Sequence, residues 1–231
     1  MNEMNMLDKV KGGLIVSCQA LHDEPLNGSF IMGRMAKAAT EGGAVGIRAN
    51  SKDDIEEIKK QTTLPIIGIV KRDYTDSDVY ITATMQEVDE LMDARCDMIA
   101  LDATKQVRPN GESLESFVKN IRDKYVDVLL MADTSTVEEG IEAERLGFDV
   151  VSTTLVGYTN YTINQSIFEN DYAMLKEYVD VIAVPVIAEG NVDTPEKARA
   201  VLNHGVYAVV VGSAITRPQL MTKRFVETMK E

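Results

Sequence analysis

Cysteine, histidine and positive charge are all scarce in this chain. Its 231 residues include two cysteines and two histidines, and 24 Lys and Arg stand against 37 Asp and Glu, a net charge of −13. That deficit argues against a nucleic-acid partner, whose footprint is a basic face. It also means that an anionic ligand must be captured by local cations and backbone N–H groups, not by the global field. Cys18 and Cys96 each lie in an apolar stretch and read as buried thiols of a reducing compartment, not as a disulfide or redox pair. His22 and His204 are too far apart and too poorly accompanied to suggest a metal site. No apolar run reaches membrane-spanning length and no charged-plus-apolar leader is present, so a soluble, cytoplasmic protein without a membrane partner is expected. Long Pro/Gly/Ser linkers and low-complexity tracts are missing too. Residues 1–231 therefore read as one domain, long enough for one well-buried core.

What the chain does have is a rhythm. Apolar, β-branched runs recur at Gly13–Ser17, Ala44–Arg48, Pro65–Lys71, Met98–Asp102, Val128–Asp133, Val150–Leu155, Val184–Glu189 and Ala208–Gly212. Amphipathic stretches of helical period separate most of them. Ser51-Lys-Asp-Asp54, Thr84-Met-Gln-Glu87 and Thr136-Val-Glu-Glu139 are capping-box patterns ahead of helical runs. Thr194-Pro195 places a cap and then proline at the first helical position. Gly42-Gly43, Gly147 and Gly205 fall where helices should stop. Ile55 and Ile58, then Val88, Leu91 and Met92, then Phe117, Val118 and Ile121 mark the inward faces of three helices. Eight strand–helix units in this length fit a (β/α)8 TIM barrel. A doubly wound sheet would normally have fewer strands and, for a dinucleotide, a Gly-x-Gly-x-x-Gly turn after the first strand. Here that strand runs into Cys18-Gln19-Ala20. The sixth strand is the least sharply defined at its end.

A barrel gathers its strand ends at one mouth, where such enzymes keep their chemistry. The apolar run Pro65-Ile-Ile-Gly-Ile-Val ends on Lys71. A lysine there can be desolvated enough to serve as a base or Schiff-base amine near neutral pH, or it is simply the first solvated residue after a strand. The other strand ends carry Gln19, Arg48, Asp102, Asp133, Thr153/Thr154 and Glu189, followed by the Gly212-Ser213 turn. Each alone is better explained by solvation or a local hydrogen bond; the set, with opposite charges facing one cavity, is harder to dismiss. Arg48 and Lys71 can neutralise an anion, while Asp133 and Glu189 can hold or move protons. Glu189-Gly190-Asn191 and Gly212-Ser213 end the last two strands, where barrels often bind phosphate, and Arg217 follows closely. A phosphate grip, a strand-end lysine and a strand-end glutamate suit proton abstraction beside a carbonyl, with Lys71 and Glu189 as the pair flanking the carbon.

The segments Gly12–Ala20, Glu41–Asn50, Gly68-Ile-Val-Lys-Arg-Asp-Tyr74, Ile99–Thr104, Val186-Ile-Ala-Glu-Gly-Asn191 and Ala214-Ile-Thr-Arg-Pro218, in that order, resemble the bacterial N-acetylmannosamine-6-phosphate 2-epimerases. The resemblance runs from about residue 10 to residue 229. It implies a (β/α)8 barrel that interconverts N-acetylmannosamine 6-phosphate and N-acetylglucosamine 6-phosphate in the catabolism of N-acetylneuraminate and related amino sugars. It further implies that no organic cofactor is needed. Lys71 would be the catalytic base, Glu189 its acid/base partner, and Gln19, Arg48 and Asp133 the groups orienting the sugar and the lysine. Phosphate would lie near Gly190, Asn191, Gly212, Ser213 and Arg217. Two departures from the family pattern stand out: Ser213 where a second glycine is expected, and His22 where a proline is expected. A strained serine or an added phosphate contact are the two readings of the first; a surface residue or a sugar contact are those of the second. Two other functions fit parts of the pattern: a phosphosugar lyase or aldolase-type isomerase using Lys71 covalently, and a non-catalytic sugar-phosphate sensor. Oligomeric state is left open, a homodimer being one option.

Overall fold

A computed structural model describes residues 5–230. Eight parallel strands close into a barrel in sequence order, each hydrogen-bonded to the next and the last to the first. They are β1 (Leu14–Cys18), β2 (Gly46–Asn50), β3 (Ile66–Ile69), β4 (Met98–Asp102), β5 (Leu129–Asp133), β6 (Val150–Ser152), β7 (Val186–Ala188) and β8 (Ala208–Val211). Helices α1 (Met6–Val10), α2 (Ser29–Glu41), α3 (Lys52–Lys59), α4 (Met85–Asp93), α5 (Leu114–Lys124), α6 (Val137–Arg145), α7 (Ala173–Val181) and α8 (Pro195–Asn203) occupy the sequence between and before the strands. After β8 come the short α9 (Ser213–Thr216) and α10 (Pro218–Thr228). The barrel expected from the sequence is the one observed.

Side chains alternate across each strand, so the barrel has two apolar layers. One fills the interior with Ile15, Ile67, Ile69, Met98, Met131, Ile187 and Val210 among others. The other lies between strands and helices and contains Val16, Ile47, Leu101, Leu130, Val151 and Val209. Met6 and Val10 of α1 join the interior layer and close the end away from the mouth. Their approach needs Gly46, where a Cβ would stand 3.2 Å from Val10 Cγ1. Gly68 does the same for the outer layer: a Cβ there would meet Leu91 and Cys96 at 2.8 Å. The helical faces read from the sequence are inward; Ile55, Ile58, Val88, Leu91, Phe117, Val118 and Ile121 are buried, and Met92 is half-buried against the same core.

Local signals mostly act as expected. Thr84 and Thr136 form complete capping boxes with Glu87 and Glu139. Ser51 caps only halfway: its side chain accepts from Asp54 N–H, but the Asp54 carboxylate is taken by Ser29 Oγ at 2.7 Å. Gly43, Gly147 and Gly205 all carry positive φ just past a helix. Several strands are shorter than their apolar runs. β3 stops at Ile69, two residues before Lys71, and β6 stops at Ser152, three before Leu155. The chain beyond β3 doubles back, so that Val70 and Arg72 exchange backbone hydrogen bonds with Thr82 and Tyr80. Cys18 is buried as expected, Cys96 only partly, and both thiols are free.

Candidate active site

The alternation that builds the interior layer also aims the polar residues. Stepping by two from the interior side chains gives Ile15, Ser17 and Gln19; Ile67, Ile69 and Lys71; Met131 and Asp133; Val150, Ser152 and Thr154; Ile187 and Glu189; Val210 and Gly212. Every one of these chains of residues ends at the mouth. The same parity separates Thr153 from Thr154. Thr154 lines the cavity, whereas the Thr153 hydroxyl donates to the Glu189 carbonyl at 2.8 Å and braces that corner from behind.

The cavity at the mouth holds about 230 Å³. Gln19, Arg48, Lys71 and Glu189 line it, and its far end is built from Gly190, Asn191, Gly212, Ser213 and Arg217. Asp133 lies behind them, with no exposed surface. Arg48 is the centre of a buried ion-pair network. Its Nη1 and Nη2 donate to the two oxygens of Asp133 at 3.0 and 2.5 Å, and Nη1 also donates to Glu189 Oε2 at 2.6 Å. Thr154 Oγ1 stands 2.8 Å from Asp133 and 3.1 Å from Glu189. Burial opposes the Arg48 charge, but the two carboxylates outweigh it and raise its pKa. One guanidinium cannot fully compensate both acids. Burial, reinforced by Asp133, lifts the Glu189 carboxyl above the usual range against the pull of Arg48 and Lys71. Both contacts of Glu189 to Arg48 and Thr154 fall on Oε2; among the described residues none falls on Oε1.

Lys71 is fixed through its backbone. Its N–H donates to Asn50 Oδ1 at 2.8 Å, and it forms an antiparallel bridge with Ile81. Its amine makes no hydrogen bond or ion pair with the described residues. Burial, then the Arg48 and Arg217 guanidiniums, bring that amine down from 10.5 to about 8. At pH 7 roughly one-tenth of such an amine is neutral, against roughly one in three thousand at the ordinary value. Tyr80 faces the same cavity, its phenol pushed up to about 12 by burial, so it remains a proton donor.

Asp102 is not brought into this cavity. It is fully buried, with Oδ1 taken by the Thr104 N–H and hydroxyl at 2.9 and 2.7 Å, and burial raises its carboxyl to about 6. Beside it, Arg108 donates to the Asp102, Thr82 and Ala83 carbonyls, strutting the loops after β3 and β4. His22 is exposed and does not line the cavity. Ser213 opens α9 without positive φ, so it is not strained; its hydroxyl accepts from Arg217 Nη1 at 3.3 Å. Gly190 and Asn191 do carry positive φ, of 103° and 56°, which turns the chain over the cavity rim. Sequence reasoning missed Tyr80, Tyr158 and Ser17 as lining residues. Ser17 was recoverable from the alternation along β1; Tyr80 and Tyr158 sit on loops, where no periodicity marks direction. Among the described residues no group of three or more His, Cys, Asp or Glu is arranged to hold a metal ion.

A (β/α)8 barrel whose mouth presents a neutralisable lysine, a paired glutamate and a glycine-rich cationic end belongs to the barrels built to handle small anionic substrates. Within that class, the family described as "Putative N-acetylmannosamine-6-phosphate epimerase" matches residues 32–231, and the chain belongs to it. Proteins of Shouchella clausii (strain KSM-K16) and Staphylococcus carnosus (strain TM300), both described as "Putative N-acetylmannosamine-6-phosphate 2-epimerase", are similar at 63% identity over 225 residues and 61% over 219 residues. The matches cover 97% of this chain and 99% of the first protein, and 95% and 97% for the second. The solved N-acetylmannosamine-6-phosphate 2-epimerase from Clostridium perfringens superposes with a TM-score of 0.93 at 57% identity, over 99% of this chain and 98% of that one. A thiamine phosphate pyrophosphorylase from Pyrococcus furiosus, at 20% identity and a TM-score of 0.60, shares the fold.

Proposed function

We propose that this protein is an isomerase that interconverts N-acetylmannosamine 6-phosphate and N-acetylglucosamine 6-phosphate by moving the proton at C2, as part of amino-sugar and N-acetylneuraminate catabolism. The observation that carries the mechanism is the Lys71 amine, unpaired and lowered to about 8 in the cavity that also holds Glu189. With the sugar in its open aldehyde form, Lys71 takes the C2 proton and the bonding pair moves toward C1, leaving an enolate. The Arg48 charge and the Gln19 amide answer the oxyanion, and Asp133 keeps Arg48 in place. Glu189, whose raised pKa lets it carry a proton, returns one to the other face of C2. The phosphate is held by backbone N–H groups of Gly190, Asn191, Gly212 and Ser213 and by the Arg217 guanidinium.

The test is incubation with N-acetylmannosamine 6-phosphate in D2O, following C2 by NMR. Product carrying deuterium at C2 is expected; product that retains the substrate proton throughout would overturn the reading. We infer a cytoplasmic enzyme, a single catalytic domain over residues 1–231, with a small sugar phosphate as its substrate. A homodimer would cover the apolar face that Phe225, Val226 and Met229 leave exposed along α10.

A further inference from the structure

One carboxylate outside the catalytic network touches both the proposed phosphate arginine and the loop that carries Gln19. Glu24 lies between β1 and α2, with its side chain 16% exposed. Its Oε1 accepts from Arg217 Nε at 2.8 Å and from Gln219 Nε2 at 3.2 Å. Its Oε2 accepts from the Leu21 N–H at 2.7 Å. Glu24 N–H in turn donates to the Leu21 carbonyl at 3.0 Å, and Asn27 Nδ2 donates to the Ala20 carbonyl at 3.3 Å, so residues 20–27 fold back on themselves. This compact loop follows directly from Gln19 in the cavity.

We propose that Glu24 is a positioning residue for phosphate binding: it fixes Arg217 through Nε and ties the β1–α2 loop to the start of α10. The proposal rests on the reading of Arg217 as a phosphate contact. Arginine can grip a phosphate through more than one pair of its N–H donors, and a free side chain would sample them all. With Nε held by Glu24 and Nη1 steadied by Ser213 Oγ, the choice narrows to the Nη edge of this cavity-lining arginine. Pre-arranging a long side chain removes part of the ordering entropy that binding would otherwise lose. The same contact links two parts of the substrate site. The loop that holds Gln19 at the sugar end and the arginine at the phosphate end share one carboxylate.

A contrary effect makes the sign informative. A carboxylate close to a phosphate dianion repels it. If repulsion outweighed positioning, removing Glu24 would tighten phosphate binding. Three variants of the full chain decide: Glu24→Ala, Glu24→Gln and Arg217→Ala, with the Glu24→Ala/Arg217→Ala double variant closing the cycle. The readouts are KM and kcat for N-acetylmannosamine 6-phosphate and the inhibition constant of inorganic phosphate. Glu24→Ala should raise KM and the phosphate inhibition constant together by about tenfold, the scale of one lost hydrogen bond to a charged group, with kcat changed less. Glu24→Gln keeps an acceptor for Nε and should recover most of the loss, which a purely electrostatic role would not allow. In the Arg217→Ala background, removing Glu24 should have little further effect. A KM or phosphate inhibition constant that falls or stays unchanged in Glu24→Ala would overturn the proposal, as would full additivity with Arg217→Ala. Arg217→Ala without any change in either constant would remove the phosphate reading itself. If Glu24→Ala does not fold, Glu24→Met, which keeps the bulk of the side chain and removes both acceptors, takes its place with the same expected and overturning outcomes.

Discussion

Lys71 is worth following as a single side chain, because its chemistry depends on being neutral. A base whose pKa is brought to about 8 is mostly protonated at pH 7 and loses its proton as the pH rises. The ascending limb of kcat/KM should therefore lie near pH 8, reporting Lys71 in the free enzyme. Lys71→Ala should fold normally and lose about 10²–10⁴-fold in activity, the usual range for a positioned general base. A loss under about tenfold, or a kcat/KM limb unmoved from that of free lysine, would remove Lys71 from the role. Arg217 makes a second residue-level prediction. Phosphate binding is common to ground and transition states, so Arg217→Ala should raise KM more than it lowers kcat. It should also shift the ascending limb of kcat/KM to higher pH, because the Arg217 charge is one of the causes that lower the Lys71 amine. Much of this residue scale was legible in the sequence. Gln19, Arg48, Lys71, Glu189 and Arg217 all reach the cavity, as the strand-end reading requires. Asp102 misled that reading because its parity is right but Thr104, two residues on, captures its carboxylate.

Between residues and barrel, single carboxylates at helix starts hold several loops at once. Glu139 closes the capping box of α6 with Thr136, but it also accepts from Ser135 N–H at 2.7 Å and from Lys105 N–H at 3.0 Å, and it receives the Tyr161 hydroxyl. The loops after β4, β5 and β6 therefore meet on one buried side chain. Replacing it with alanine removes a cap and leaves buried backbone donors unpaired, so Glu139→Ala should destabilise the protein by about 2–4 kcal/mol. Glu139→Gln should lose less, since it keeps one acceptor. Chemical denaturation of both variants checks this, and a Glu139→Ala midpoint equal to the parent's would show that the loops hold without it. The sequence revealed the Thr-x-x-Glu pattern because capping is a local event three residues long. It could not reveal Tyr161 or Lys105 as partners, since those contacts exist only once the strands are ordered around the barrel. The Ser51 case runs the other way: the local pattern was present, yet Ser29 on a neighbouring helix won the Asp54 carboxylate.

Closure of the barrel is what makes the site two-sided. With strands in order one to eight, β3 and β7 are four positions apart and stand on opposite walls. Lys71 follows β3 and Glu189 follows β7, so in the proposed reaction a sugar lying across the mouth would be approached from both faces, as inversion at C2 requires. No property of either residue's own sequence neighbourhood contains that relation; it appears only when the rhythm of eight units is read as a closed ring. The global charge of −13 gives no help in drawing a dianion to the mouth, so in the proposed reading its capture falls to Arg217 and the turn backbones at the far end of the cavity. The opposed arrangement predicts an asymmetric proton return. Starting from N-acetylmannosamine 6-phosphate in D2O, the first N-acetylglucosamine 6-phosphate formed should carry deuterium at C2, while recovered starting material carries little. Glu189→Gln keeps the shape of the side chain and removes its proton, so it should abolish epimerisation yet leave slow exchange of the substrate C2 proton that depends on Lys71. The double variant Lys71→Ala/Glu189→Gln should lose that exchange as well. Near-normal epimerisation by Glu189→Gln would refute the two-sided model. Proton return would then fall to water or a hydroxyl of the sugar itself, with Glu189 left to hold Arg48 and the substrate in place.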